Sequence, residues 1–213
     1  MNVSRFELNP FGENTYILWH KLAKKAIVVD PGMMRDDECQ LVVDFLDRHE
    51  LTLQAVMLTH IHIDHVTGAK WLADKYDVKI LASKADEFLA STLPLQAQLF
   101  GLKIEVPVIT IDQALKDGDE LMLGEEKIVV IATPGHSPGG ICLYMPDSAT
   151  VVSGDTLFEG SIGRTDLPGG NFDRLINSIK TKLLTLPDET IVAPGHGYTS
   201  TIGNEKQHNP FLA

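Results

Sequence analysis

Short apolar runs alternate along this chain with amphipathic stretches, and the two separate strands from helices. Val3–Leu8 and Asn14–Trp19 read as two short strands separated by a Pro-Gly turn, and Ala26–Asp30 as a buried strand that stops at Pro31-Gly32. After the acidic run Asp36-Asp37-Glu38, the residues Leu41, Val42, Phe45 and Leu46 recur at helical spacing. Ala69, Leu72, Ala73 and Tyr76 predict a second helix, and Ala85, Phe88, Leu89 and Leu93 a third, capped by Ser83. Asn171 predicts the cap of a long helix with the core stripe Phe172, Leu175, Ile176, Ile179 and Leu183. No low-complexity segment, long linker or repeat interrupts the pattern, so residues 1–213 are read as one domain of α/β type.

The residues just past the strands carry more information than the strands themselves. Ala55–Leu58 runs into His60, Ile128–Ala132 into Thr-Pro-Gly-His136, Val151-Val152 into Ser-Gly-Asp155, and Ile191–Ala193 into Pro-Gly-His196. Four strands thus each deliver a metal-competent side chain just past the strand end, with Gly or Pro turning the backbone at three of the four junctions. Sites in α/β proteins collect outside strand ends, so these positions are expected to converge.

Composition narrows the classes. The 213 residues suffice to bury a core, and the 44% hydrophobic and 22% charged content is that of an ordinary globular protein. Eighteen Lys+Arg against 29 Asp+Glu give a net charge of −11, which repels phosphate backbones; with no Lys/Arg cluster, no nucleic-acid partner is expected. Cys39 and Cys142 lack metal-type spacing and sit in apolar contexts, which fits a reducing compartment. The opening MNVSRFELNP has no apolar signal core, and no run has the length of a membrane span, so a cytoplasmic protein with no membrane partner is expected.

The densest chemistry lies in Thr59-His60-Ile61-His62-Ile63-Asp64-His65. In an extended loop alternate side chains share a face, so His60 and His62 grip one ion together, while Asp64 and His65 turn toward an adjacent position. Four ligand-type residues in six positions exceed what one ion takes from one segment, and two ions are the natural reading. Imidazole and carboxylate ligands suit zinc, with iron or manganese as alternatives; a structural zinc site would be closed and cysteine-rich, and none of the cysteines is near. Asp155 offers two oxygens to bridge the ions, and the constellation supports hydrolysis without a protein nucleophile. No Walker loop competes with it.

His60-Ile-His62-Ile-Asp64-His65 resembles the H-x-H-x-D-H signature of the metallo-β-lactamase superfamily, and Asp30, His136, Asp155 and His196 fall in order at that family's other motifs. The resemblance implies a four-layer αββα sandwich with its metals at one edge of the two sheets. It implies that His60, His62 and His136 hold one ion, that Asp64, His65 and His196 hold the second, and that Asp155 bridges, with Asp64 and Asp155 the carboxylates of the catalytic centre. Asp30 resembles the family's carboxylate that orients the site without ligating. Within the superfamily, Gly154-Asp155-Thr156-Leu157-Phe158, Ile162-Gly163-Arg164 and the ending from Ser200 through Phe211 are similar to short bacterial glyoxalase-II-like enzymes, which hydrolyse hydroxyacyl-glutathione thioesters such as S-lactoylglutathione. Arg164 stands where larger members place a cation on a glutathione carboxylate.

The string Gly163-Arg164-Thr165-Asp166 also resembles persulfide dioxygenases, which share the fold but use one iron and oxygen. A mononuclear iron oxidoreductase is therefore the alternative to the dinuclear thioesterase. A non-catalytic metal-binding module is disfavoured because every ligand position is filled. His20, His49 and His208 have no ligand-type neighbours and are read as surface or structural residues.

Overall fold

The structure, a computed structural model, describes residues 1–212. The first half of the chain builds one sheet. β1 (Asn2–Leu8), β2 (Glu13–His20) and β3 (Lys25–Val29) form an antiparallel meander, and α1 (Asp36–Arg48) carries the chain to β4 (Thr52–Met57), parallel to β3. The short α2 (Ile63–Val66) and α3 (Ala69–Tyr76) lead to β5 (Lys79–Ala82), and α4 (Glu87–Ala90) and α5 (Leu93–Leu99) to β6 (Gln113–Ala114), giving the order β1-β2-β3-β4-β5-β6.

The second half builds another. β7 (Glu120–Leu123), β8 (Glu126–Ala132), β9 (Ile141–Met145) and β10 (Thr150–Gly154) run antiparallel in sequence, followed by the hairpin of β11 (Leu157–Phe158) and β12 (Ser161–Ile162). After α6 (Phe172–Ser178), β13 (Ile191–Pro194) returns parallel to β10, and β14 (Ser200–Thr201) and α7 (Ile202–His208) complete the order β14-β13-β10-β9-β8-β7.

Period-two alternation splits each central strand between two cores. In β2, β3 and β4, Tyr16, Leu18, Ile27, Val29, Ala55 and Met57 face the other sheet, packing on Ile128, Val130, Ile141, Leu143 and Val152. The intervening Ile17, Ala26, Val28 and Val56 turn to the other side, against Val42 and Leu46 of α1 and Leu72 of α3. In the second sheet Cys142, Val151 and Val192 likewise turn outward onto Leu175, Ile179 and Ile202. Three apolar cores, one between the sheets and one beneath each outer helix layer, make the αββα sandwich that the motif resemblance implies.

Three local expectations change. In α1 it is Val43 and not Leu41 that is buried with Val42 and Leu46; Leu41 faces solvent. The third expected helix breaks into a 3₁₀ turn over Lys84–Asp86, with Ser83 Oγ accepting from Ala85 N, followed by α4 and α5. Ala85 and Phe88 are exposed because the turn rotates Asp86 inward, where its carboxylate accepts from three donors; a buried carboxylate's hydrogen-bond demand outweighs the apolar stripe. Asn171 does cap α6, accepting from Arg174 N at 2.9 Å, but the helix passes into a π-helical turn over Ile179–Leu183, and Phe172 is exposed.

The tail fastens the segment beyond Asp155. Glu205, fully buried, accepts from Gly160 N at 2.9 Å and from Asn209 Nδ2 at 2.8 Å, and Asn209 also donates to Ser161 O at 3.0 Å, clamping the β11–β12 hairpin. Leu143→Ala in the layer between the sheets is expected to cost about 2–5 kcal/mol, the range for deleting a buried leucine side chain. Urea unfolding should show it as a lower midpoint at unchanged slope.

Candidate metal centre

β3 and β4 run parallel to each other in the first sheet, and β8, β10 and β13 share one direction in the second, so their carboxyl ends collect at one edge of the sandwich. Asp30 follows β3, the His60–His65 loop follows β4, His136 follows β8, Asp155 follows β10 and His196 follows β13. The edge is held shut between the sheets. Asn14 N donates to Gly195 O at 2.7 Å, Tyr16 Oη to Pro194 O at 2.8 Å, and Ile141 N to Thr59 O at 2.9 Å. A register shift in the β10–β13 pairing between Val152 and Gly154 turns Asp155 off the sheet. Gly154 has φ +49° and packs against Thr59 so closely that a Cβ would overlap its hydroxyl; at Gly195 a Cβ would overlap the Asp155 carboxylate.

Three groups of candidate ligand atoms form there, one of which, Asp30 with His60 and His65, shares its histidines with the other two. His60, His62 and His136 make one triad and Asp64, His65 and His196 another, the ligand atoms within each lying within 4.8 Å of one another. His62 Nδ1 is 2.8 Å from His136 Nε2, which is 3.3 Å from His60 Nε2. His65 Nε2 is 3.3 Å from His196 Nε2, itself 3.2 Å from Asp64 Oδ2. Asp155 lies between: Oδ1 is 3.4 Å from His65 Nε2, and Oδ2 is 3.6 Å from His136 Nε2 and 3.7 Å from His196 Nε2. Every sequence-predicted ligand residue is in this cluster. His20, His49 and His208 are elsewhere: His20 Nδ1 accepts from Ala23 N, His49 stacks on Trp19 and Phe45, and His208 ends α7.

Outer partners set the tautomers. His136 Nδ1 donates to Arg164 O at 2.7 Å, His196 Nδ1 to Phe11 O at 3.2 Å and His65 Nδ1 to Asp30 Oδ2 at 3.1 Å, leaving each Nε2 lone pair aimed inward. Asp30, itself in the left-handed region at φ 49°, accepts from Thr59 N at 2.7 Å and Thr59 Oγ1 at 2.5 Å; that hydroxyl in turn accepts from His60 Nδ1 at 3.0 Å. One carboxylate therefore orients a histidine of each triad. The strained backbone at Asp30 is held by these bonds.

Electrostatics divide the triads. Burial, reinforced by the other imidazoles, pushes His60 well down and His62 down to about 3, so both stay neutral and free to donate lone pairs. Burial opposes protonation of His65 and His196 as well, but the carboxylates outweigh it: Asp155 and Asp64 hold His65 well above the ordinary histidine range, and Asp64 raises His196. Burial alone would raise Asp64, yet His65 and His196 hold its carboxyl well below the usual range. Positive charge is thus drawn to the second triad. The buried Asp155 Oδ1 has no hydrogen-bond partner, and ring nitrogens facing one another at 2.8–3.3 Å cannot each carry a proton. Converging lone pairs, an orphaned carboxylate oxygen and a nitrogen-and-oxygen donor set fit divalent cations. His196, Asp64 and Asp155 retain partial exposure at 26%, 18% and 13% of their side chains, so the centre opens on that side.

Other residues of the site were not legible from spacing. Asp86 accepts from Ile61 N at 3.3 Å, Ser137 Oγ at 2.7 Å and Gly139 N at 2.5 Å, tying the His60–His62 loop to the His136 loop. Glu13 is fully buried, accepts from Thr15 Oγ1 at 2.9 Å and lies 4.0 Å from His65; burial raises its carboxyl pKa well above normal. Its only sequence signal is a charge at the head of an apolar strand. Arg164 lies at the lip of the cleft over the centre, with its guanidinium bonded to both Asp166 oxygens at 2.7 Å.

The sequence profile of the metallo-beta-lactamase superfamily matches residues 8–196. The chain belongs to this superfamily. It is 38% identical to the hydroxyacylglutathione hydrolase GloC of Haemophilus influenzae, over all of this chain and 98% of that protein. Among solved structures it is similar to the B3 metallo-beta-lactamase BLEG-1, with TM-score 0.90, 36% identity and complete coverage of both chains. It is also similar to TTHA1623 in a di-iron-bound form, with TM-score 0.86, 37% identity and coverage of 99% of this chain and all of that one. These relationships place the chain among the metallo-hydrolases and its His/Asp cluster among metal-binding centres.

Asp30→Asn keeps the shape but removes the charge that fixes His65 and, through Thr59, His60. Metal affinity measured by chelator competition is expected to fall about 10- to 100-fold. Chelation of the wild type should lower the melting temperature, and metal present at about 100 times its Kd should restore about 2.7 kcal/mol.

Proposed function

We propose that this protein is a dinuclear metal-dependent hydrolase of hydroxyacyl-glutathione-type thioesters, for which S-lactoylglutathione is the test substrate. The observation that carries the dinuclear reading is the pair of ligand triads with Asp155 between them. On this reading His60, His62 and His136 would hold one ion, Asp64, His65 and His196 would hold the other, and Asp155 would be shared between them. Zinc suits the donors best, with iron or manganese as alternatives. Such ions supply Lewis acidity, polarising a carbonyl and bringing the pKa of water near neutrality.

The chain's own groups do the rest. Asp64, its carboxyl held low, stays ionised at the open side. Asp30, Thr59 and the Arg164 carbonyl keep three imidazoles from rotating, so the ligand geometry is set before substrate arrives. Among the described residues no serine or cysteine lines the cleft, so attack falls to water. The Arg164 guanidinium, exchangeable from the exposed Asp166, is assigned to a substrate carboxylate. The whole chain is read as one hydrolase domain. The unpaired thiols of Cys39 and Cys142 support a cytoplasmic location, and no helix among the described residues is long and apolar enough to cross a membrane.

Elemental analysis and loss of the S-lactoylglutathione thioester test the reading, with a penicillin and glutathione persulfide assayed in parallel. Two ions per chain and thioester turnover are expected. Asp64→Ala should release one ion and lower kcat/KM by about 10²-fold or more, the equivalent of roughly 3 kcal/mol. One iron per chain with oxygen uptake on persulfide would instead establish the mononuclear oxidoreductase, and near-wild-type hydrolysis by Asp64→Ala would end the two-ion mechanism.

A further inference from the structure

A cleft of about 290 Å³ lies over the metal centre, and its floor is His62, Asp64, His136, Asp155 and His196. The wall on one side is α5. On this helix Leu93 and Ala97 are buried, which leaves Leu95 and Leu99 on the opposite face, 56% and 74% exposed, and Phe100, the residue that ends the helix, is 47% exposed and lines the same cleft. Leu95 and Leu99, large apolar groups left uncovered together at i and i+4 of one short helix, are not explained by packing within this chain.

The wall is tied to the metal ligands from two directions. Gln96, on the same helix, accepts from Ile63 N at 3.0 Å, the residue next to His62, and steadies itself on Thr92 Oγ1 at 2.9 Å. Phe100 meets Phe11 edge-on at 5.2 Å between centroids, and Phe11 O receives the His196 Nδ1 hydrogen bond. A wall used for nothing at the site would have no need of a fixed register with its ligands. Charge points the same way. The cleft's lining residues from α5 and its end, Leu95, Gln96, Leu99 and Phe100, are all uncharged, and the one cationic lining side chain apart from the imidazoles is Arg164.

We propose that the cleft wall of Leu95 and Leu99 on α5, with Phe100 at its end, binds an unbranched apolar acyl chain, so that the enzyme prefers thioesters of medium-chain acids to those of small hydroxy acids. The inference rests on the thioesterase reading and adds the acyl class to it. The carbonyl lies over the metal centre, the acyl chain runs along α5, and the thiol portion leaves toward Arg164. A fully buried methylene contributes about 0.8 kcal/mol, close to fourfold in affinity; a half-open wall gives about half of that, near twofold.

The test is a series of glutathione thioesters from acetyl through butyryl to hexanoyl, with kcat/KM measured on the metal-loaded enzyme, and calorimetric binding of the matching carboxylates as a second readout independent of turnover. A gain of about twofold or more per added methylene in either readout supports the wall; a smaller gain, none or a decline in both overturns it. Absence of hydrolysis along the whole series would strike the thioesterase reading, and the carboxylate series would still decide whether the wall takes an alkyl chain. Leu95→Asp and Leu99→Asp, both at exposed positions, should collapse the hexanoyl-to-acetyl ratio toward one. Leu22→Asp, more exposed still and outside the cleft, should leave the ratio unchanged. An unchanged ratio in both wall variants would overturn the assignment to α5.

Discussion

Imidazole lone pairs that face one another across 2.8–3.3 Å repel unless something positive lies between them. The whole edge of the sandwich is arranged around that constraint. Each ring except His62 is bonded at Nδ1 to an outer acceptor and so forced to present Nε2 inward. His62 presents Nδ1 instead, 2.8 Å from His136 Nε2. Three carboxylates, Asp64, Asp155 and Asp30, raise the local negative charge, and His65 and His196 respond by holding protons more tightly than usual. A cation relieves both strains at once, which is why the cluster reads as a metal centre and not as a buried hydrogen-bond network.

Holding such a centre requires rigidity, and the fold supplies it through the strands. Central strands buried on both faces fix where their carboxyl ends lie, and short turns leave the ligands little freedom. The two sheets would still be able to slide past each other on an apolar interface. Hydrogen bonds from Asn14 and Tyr16 to the His196 turn, and from Ile141 to Thr59, lock them at the edge that matters. Asp86 does the same for the loops of the first triad. The arrangement puts buried polar bonds at the site and leaves the remainder of the inter-sheet layer apolar.

The substrate side is built with the opposite chemistry. The ligand edge is polar, whereas α5 presents hydrocarbon to the same cleft. Gln96 and Phe11 join the two, so a group resting on the helix is placed relative to the ligand residues by covalent and hydrogen-bonded connections of a few residues. The cleft has the His/Asp cluster at one end and an apolar wall at the other, in the way ligand sites generally combine few polar groups with a hydrophobic lining.

The share of this that was legible in the chain depends on the signal each residue type gives. The ligands declare themselves because histidine and aspartate clustered after apolar runs and Gly-Pro turns have few structural reasons to be there, and their positions at strand ends imply one shared edge. The layered architecture was implied by the motif resemblance, and strands with apolar residues on both faces realise it. Asp86, Glu13 and Gln96 gave no such sign, since one acid or amide in an amphipathic segment looks like any solvated residue; only the fold turns them inward, and the third helix breaks where Asp86 does so. Leu41 and Val43 exchange roles because a helical stripe is read to within one residue, while its rotation is set by the sheet beneath it. The kind of chemistry was written in local spacing, which short-range geometry governs. Which side chains steady the centre, and which wall faces it, depended on contacts between segments far apart in the chain, and those exist only once the two sheets have met.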